Sequence, residues 1–97
     1  MPTVFVVYEN KPGARFDSHY CRTKHLALIR EICTRHGLEE AECHLAIDEH
    51  APFVAVVRLR YRDVEGLRAV MADPDSRTIF ADIARVTDII PKVSRMD

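Results

Sequence analysis

The chain predicts an α+β domain, with helices packed on one face of an antiparallel four-stranded sheet. Three observations lead there. Four short runs rich in β-branched and aromatic residues alternate with two stretches of helical period, in the order strand, helix, strand, strand, helix, strand. The 97 residues leave room for a single core, so one domain over 1–97 is expected. Capping and turn residues fall where that order needs them.

Residues 3–8, Thr-Val-Phe-Val-Val-Tyr, carry apolar groups on both parities, so the first strand buries both faces. Asn10, Pro12 and Gly13 end it. Asp17 caps a helix from about Ser18 to His36, in which Cys21, Leu28, Ile29, Ile32 and Cys33 form the apolar stripe while Arg22, Lys24, Arg30, Glu31 and Arg35 favour solvent. Gly37 is its left-handed stop. Residues 42–48 alternate imperfectly and make the second strand. Phe53 to Tyr61 is the clearest strand, with Phe53, Ala55, Val57, Leu59 and Tyr61 on one face and Val54, Val56, Arg58 and Arg60 on the other. Asp63 caps a helix bearing Val64, Leu67, Val70 and Met71. Asp73-Pro74 then restarts it, with Ile79, Phe80, Ile83 and Ala84 as the buried stripe of the second piece. Residues 87–93 return as the last strand, where Pro91 cannot donate to a ladder and so marks an edge or an irregularity.

This succession is the split βαβ, or ferredoxin-like, arrangement. Because strands one and three are apolar on both parities, the open sheet face is ill suited to water. The same face of a second copy is the simplest cover, so a homodimer is expected, enclosing a cavity between the two sheets.

Composition excludes other classes. Apolar residues at 47% and charged residues at 30% describe a globular chain. Fourteen Lys plus Arg against fifteen Asp plus Glu give a net charge of -1, without the positive field that holds nucleic acid. No apolar run approaches the ~18–20 residues of a membrane span, and Met1-Pro2-Thr3 lacks the layout of a secretory signal, so a cytoplasmic protein with no membrane partner is expected. Three cysteines with no C-x-x-C pair favour reduced thiols over a disulfide framework. Three scattered glycines cannot build a phosphate loop or a dinucleotide fingerprint, and no haem ligand is specified, so no cofactor is expected.

The stretch Asn10-Lys11-Pro12-Gly13-Ala14-Arg15-Phe16-Asp17, followed by Tyr20, Lys24-His25 and Leu28, resembles the EthD family. So do Ala81-Asp82-Ile83 and Thr87-Asp88-Ile89 with Pro91, and the resemblance covers essentially the whole chain. It implies a dimeric α+β barrel, similar to muconolactone isomerases and to small cyclases and dehydratases acting on polyketides. Two positions depart from the family pattern. Ala27 stands where proline is common, and Arg85-Val86 where an asparagine and an aromatic residue often precede the Thr-Asp pair, so ligand contacts there differ.

His25 follows Cys21 by four residues, which puts its imidazole on the sheet-facing stripe. Imidazole both takes and returns a proton near neutrality, the chemistry an isomerase, cyclase or dehydratase needs. The bland alternative is a structural histidine bonded beneath the helix. Tyr20 could orient that ring or donate to a developing oxyanion, or be an amphipathic core aromatic. Asp88, near the start of the last strand, is the candidate carboxylate partner. Arg58, Asp82 and Thr87 are the candidate substrate contacts, with solvated or salt-bridging roles as their alternatives. Cys21 and His25 have the spacing of a helical metal pair, but Cys43 and His44 point to opposite sheet faces and cannot both complete it, so no metal is expected. His19, His36, His44 and His50 read as surface or cap residues. The leading expectation is a small apolar carbonyl or aromatic ligand and cofactor-free acid–base chemistry at His25. A non-catalytic binding or accessory module and a monooxygenase-type barrel are the alternatives.

Overall fold

A computed structural model describes residues 1–97. Strand β1 is Thr3–Glu9, β2 Leu38–Leu45, β3 Phe53–Tyr61 and β4 Lys92–Met96. Helix α1 covers 18–36, α2 is Val64–Ala72 and α3 Ser76–Val86. The sheet order is β2-β3-β1-β4, antiparallel throughout, which is the ferredoxin-like topology. No helix is long and apolar enough to cross a membrane.

The caps of α1 and α2 fall on the expected residues, but α3 starts at Ser76 with Asp75, not Asp73, at its cap position. The Asp17 carboxylate accepts from the Tyr20 amide at 3.0 Å, the Asp63 carboxylate accepts from the Gly66 amide at 2.8 Å, and Gly37 ends α1 at φ 91°. One detail of α1 was hidden. Cys21–His25 is a π-helical turn, in which the Leu26 amide reaches the Cys21 carbonyl five residues back. The extra residue shifts the helical phase, so the consecutive residues His25 and Leu26 are both buried, whereas Leu28, expected on the stripe, is only half-buried.

Strand limits differ at two places. β2 begins at Leu38, directly after Gly37, and stops at Leu45. Its glutamates have little strand preference of their own, but Glu40 and Glu42 face Arg60 and Arg58 across the ladder, and these cross-strand ion pairs hold the segment extended. The last strand starts at Lys92, not at Thr87. α3 continues through Val86, and residues 87–91 form a crossing connection tied to the loop before α1 by a backbone bridge between Thr87 and Phe16 and by side-chain bonds to Arg15. Pro91 stands just outside β4, an edge strand.

The core lies between the sheet and the helices, with Tyr8, Val57 and Tyr61 from the strands against Cys21, Ile29 and Cys33 of α1. The opposite sheet face carries Phe5, Val7, Val54 and Val56, ringed by the charged residues of β2 and the ends of β3. Arg58 and Arg60 lie there, bonded to Glu40 and Glu42 and to Glu39 and Glu40 within the same sheet.

Candidate functional site

A cavity of about 820 Å³ opens between the sheet and the three helices, and 18 of its 24 lining residues are hydrophobic. It is built within one chain, on the helix side of the sheet. β1 and β3 turn Val4, Val6, Val57 and Leu59 toward the helices, and α3 stands off far enough to leave space above them, so this hollow is distinct from the one expected between two sheets. The mouth is greasy. Met71, Phe80, Ile90 and Val93 line it and are more than half exposed, Ile90 by 85%.

Among the few polar groups in this wall is His25, 2% exposed. Its Nδ1 lies 2.9 Å from Oδ2 of Asp82 on α3. The other carboxylate oxygen of Asp82 accepts a hydrogen bond of 2.6 Å from the Tyr20 hydroxyl. The three side chains thus form a relay in which Asp82 is the middle member and His25 alone reaches the cavity. Burial pushes the Asp82 carboxyl up, but the bonds from Tyr20 and His25, helped by the nearby charges of His25 and Arg85, outweigh it and hold that carboxyl below its usual range. The Tyr20 phenol is pushed up, first by its bond to that carboxylate. A nitrogen facing a carboxylate carries the ring proton, so the neutral imidazole has Nδ1–H and keeps its Nε2 lone pair for the cavity side.

The π turn is what makes this geometry. It brings Tyr20, on the turn before, and His25 to the same carboxylate, while the Asp17 cap fixes the start of the helix.

The other expected site residues are placed differently. Asp88 is exposed, lines the cavity edge, and accepts the Arg15 amide on Oδ1 at 3.0 Å. It does not contact His25; the carboxylate partner is Asp82. The Thr87 hydroxyl is fully engaged, donating to the Arg15 carbonyl at 2.6 Å and accepting from the Ile89 amide at 3.0 Å. The Arg15 guanidinium in turn donates to the carbonyls of Ala84 and Arg85, which close the end of α3. So the Arg15-Phe16-Asp17 and Thr87-Asp88 motifs are one clamp holding α3, and with it Asp82, over α1. Arg58 points to the open face and is absent from the cavity wall, held by ion pairs within its own sheet. Tyr20 does not line the cavity, and its hydroxyl is committed to Asp82. His36 is more than a surface residue: half-buried, its Nε2 lies 2.8 Å from Asp73 and joins the ends of α1 and α2.

One site residue escaped the sequence. Tyr8 lines the cavity, is wholly buried, and its hydroxyl has no hydrogen-bond partner. Burial pushes the phenol far up, with Cys21 and Cys43 adding to it, so it remains a neutral donor. In the sequence it is the sixth of six strand residues, and nothing local distinguishes it from a core aromatic. No three His, Cys, Asp or Glu side chains converge to hold a metal ion.

No family model matches the chain, and none of the curated proteins does. Among solved structures, an EthD-like protein from Ralstonia eutropha JMP134 shares 26% identity with it, at a TM-score of 0.84 over 99% of this chain and 89% of that one. A protein from Bordetella bronchiseptica assigned to the antibiotic biosynthesis monooxygenases is 14% identical, at a TM-score of 0.69 over 99% and 94% of the two chains. A dimeric protein of unknown function with a ferredoxin-like fold, from Bacteroides fragilis NCTC 9343, is 5% identical, at a TM-score of 0.68 over 99% and 94%. The first is alike in sequence and fold, and the other two in fold alone.

Proposed function

We propose that this chain, EthD-like in sequence and in fold, works as a homodimer that takes a small apolar carbonyl or aromatic compound into the cavity between its sheet and helices. There His25 acts as general base and acid in a cofactor-free isomerisation, cyclisation or dehydration. The observation that carries this reading is the imidazole itself, buried in an apolar wall with Nδ1 fixed by Asp82 and its other nitrogen left for a ligand. A ring held only for structure would satisfy both nitrogens. Nε2 removes a proton next to the carbonyl, and the imidazolium returns it at a second position. Asp82 stabilises the imidazolium, and Tyr20 keeps Asp82 aimed. The apolar walls exclude water and favour a ligand with little charge. A cavity of about 820 Å³ accommodates one to three fused rings.

The test uses aromatic carbonyl probes, anthrone and 1-tetralone among them, screened by displacement of a fluorescent apolar dye, followed by deuterium exchange at the acidic carbon of the bound probe. His25→Gln is expected to keep the affinity and lose the exchange, with melting temperature nearly unchanged. A large stability loss with unchanged exchange makes His25 structural. Binding without exchange in the wild-type protein leaves a sequestration module. A second reading, oxygenation of a bound phenol by dioxygen after the same deprotonation, draws on the similarity to the Bordetella bronchiseptica protein. Oxygen uptake with 1-naphthol or anthrone separates the two.

A further inference from the structure

Two thiols, one near the start of α1 and one on β2, take no part in the relay. Cys21 opens the π turn and is wholly buried, and Cys43 stands half-buried on the helix-facing side of β2. Their Sγ atoms are 3.7 Å apart, although the residues are 22 positions apart in the chain. We propose that Cys21 and Cys43 form a reversible intramolecular disulfide when the protein meets hydrogen peroxide.

Several features of the surroundings favour that bond over other fates of the sulfurs. The partly exposed Cys43 is the one an oxidant reaches, and the buried Cys21 waits behind it as the resolving thiol. Their shared hydrogen bond lowers the Cys43 thiol and raises that of Cys21, so Cys43 ionises first. Closing the gap to about 2.05 Å needs a shift of roughly 1.7 Å. The two segments that carry the sulfurs are an edge strand and a π turn. The third cysteine, Cys33, is buried nearer the far end of α1, beside Tyr61, and takes no part.

The steps balance. The Cys43 thiolate attacks one peroxide oxygen, the O–O bond breaks, and hydroxide leaves to be protonated to water, giving a sulfenic acid. The Cys21 sulfur then attacks the Cys43 sulfur, an S–S bond forms, the S–O bond breaks, and the departing hydroxide takes the Cys21 proton as a second water. Two thiols lose two electrons and two protons, and one peroxide becomes two waters.

The test oxidises the purified full chain with hydrogen peroxide, then unfolds it in guanidinium chloride and alkylates what remains with N-ethylmaleimide before mass analysis. The expected result is a fall of about 2 Da before alkylation, one alkylated cysteine at Cys33, a peptide joining Cys21 to Cys43, and full reversal by dithiothreitol. Cys33→Ser should leave that link intact, and Cys21→Ser should strand Cys43 as a sulfenic acid that dimedone traps. Sulfinic acid at Cys43 beside an alkylated Cys21 in the wild-type protein would overturn the proposal, as would a link between two chains. Should Cys21→Ser fail to fold, the wild-type peptide map and Cys33→Ser still decide.

Discussion

Asp82 and His25 are 57 residues apart in the chain, on different helices, and 2.9 Å apart in space. A carboxylate at that distance from Nδ1 fixes both the tautomer and the tilt of the ring, which is the condition for a lone pair to face one side only. The proton on Nδ1 is therefore a direct readout of the relay. Nitrogen-15 spectra of the neutral wild-type imidazole should show Nδ1 protonated and Nε2 bare. In Asp82→Asn the tautomers should mix and any proton exchange on a bound probe should fall by ~10²–10⁴-fold. An Nε2-protonated ring in the wild-type protein would remove the base from the cavity and the mechanism with it.

The orphaned hydroxyl of Tyr8 gives an effect on stability of unusual sign. Tyr8→Phe deletes a buried donor that has no partner, so the free protein should be as stable as before or up to about 1 kcal/mol more stable. A marked drop in the stability of the free protein, measured by urea denaturation, would mean the hydroxyl is already engaged.

Acid should weaken the fold through two carboxylates held below their usual values. The bonds from Arg60 and Arg58 bring Glu40 down to about 2, and those from Tyr20 and His25 bring Asp82 below its ordinary value despite burial. A depressed folded value means stability fully present above the unfolded value and lost as pH falls through the folded one. The loss from Glu40 therefore runs from about pH 4.5 down to about pH 2, and that from Asp82 lies below pH 3.8. Glu40→Gln should flatten the acid limb of a melting-temperature profile, more in low salt than in high, since the pair is exposed to solvent. An unchanged limb would show that this ion pair contributes nothing.

The open sheet face makes its own prediction. With Phe5, Val7, Val54 and Val56 in its middle, the wild-type chain should scatter light as a dimer at micromolar concentration. Val56→Asp should give a folded monomer. A wild-type monomer, or a dimer that survives the substitution, would locate the interface elsewhere or nowhere.

Gly66 tests the packing of α2 on the end of α1. A Cβ there would collide with the backbone carbonyl oxygen of His36, which cannot swing aside as a side chain can. Alanine gains about 1 kcal/mol in helix propensity, yet the overpacking costs about 1–3 kcal/mol, so Gly66→Ala should melt at a lower temperature. A higher melting temperature would mean the two helices part freely.

Local chemistry made the scaffold legible in advance: Asp17, Asp63 and Gly37 each signal a helix end by themselves, and β3 alternates cleanly enough to assign its faces. The failures share a cause. The strand character of 87–93 is a propensity of Ile89 and Ile90, and it gives way because α3 runs on through Val86, with the Thr87 amide still bonded to the Ile83 carbonyl and Arg15 holding the carbonyls of Ala84 and Arg85. Asp88 was favoured over Asp82 because a carboxylate in an apolar strand stands out, whereas one on an amphipathic helix does not. Which of them meets His25 depends on how two helices cross, and no spacing within one segment encodes that. The hollow on the helix side of the sheet depends on the same crossing.

The π turn of α1 carries one residue more than a regular helix would hold. Dropping a single residue from it, the exposed Thr23 for instance, would let the turn close as regular α-helix. The phenol and the imidazole would then stand four residues apart, still on one face and still within reach of the same carboxylate. A lineage could thus lose a codon from this stretch, and with it the motif spacing, while keeping the trio itself.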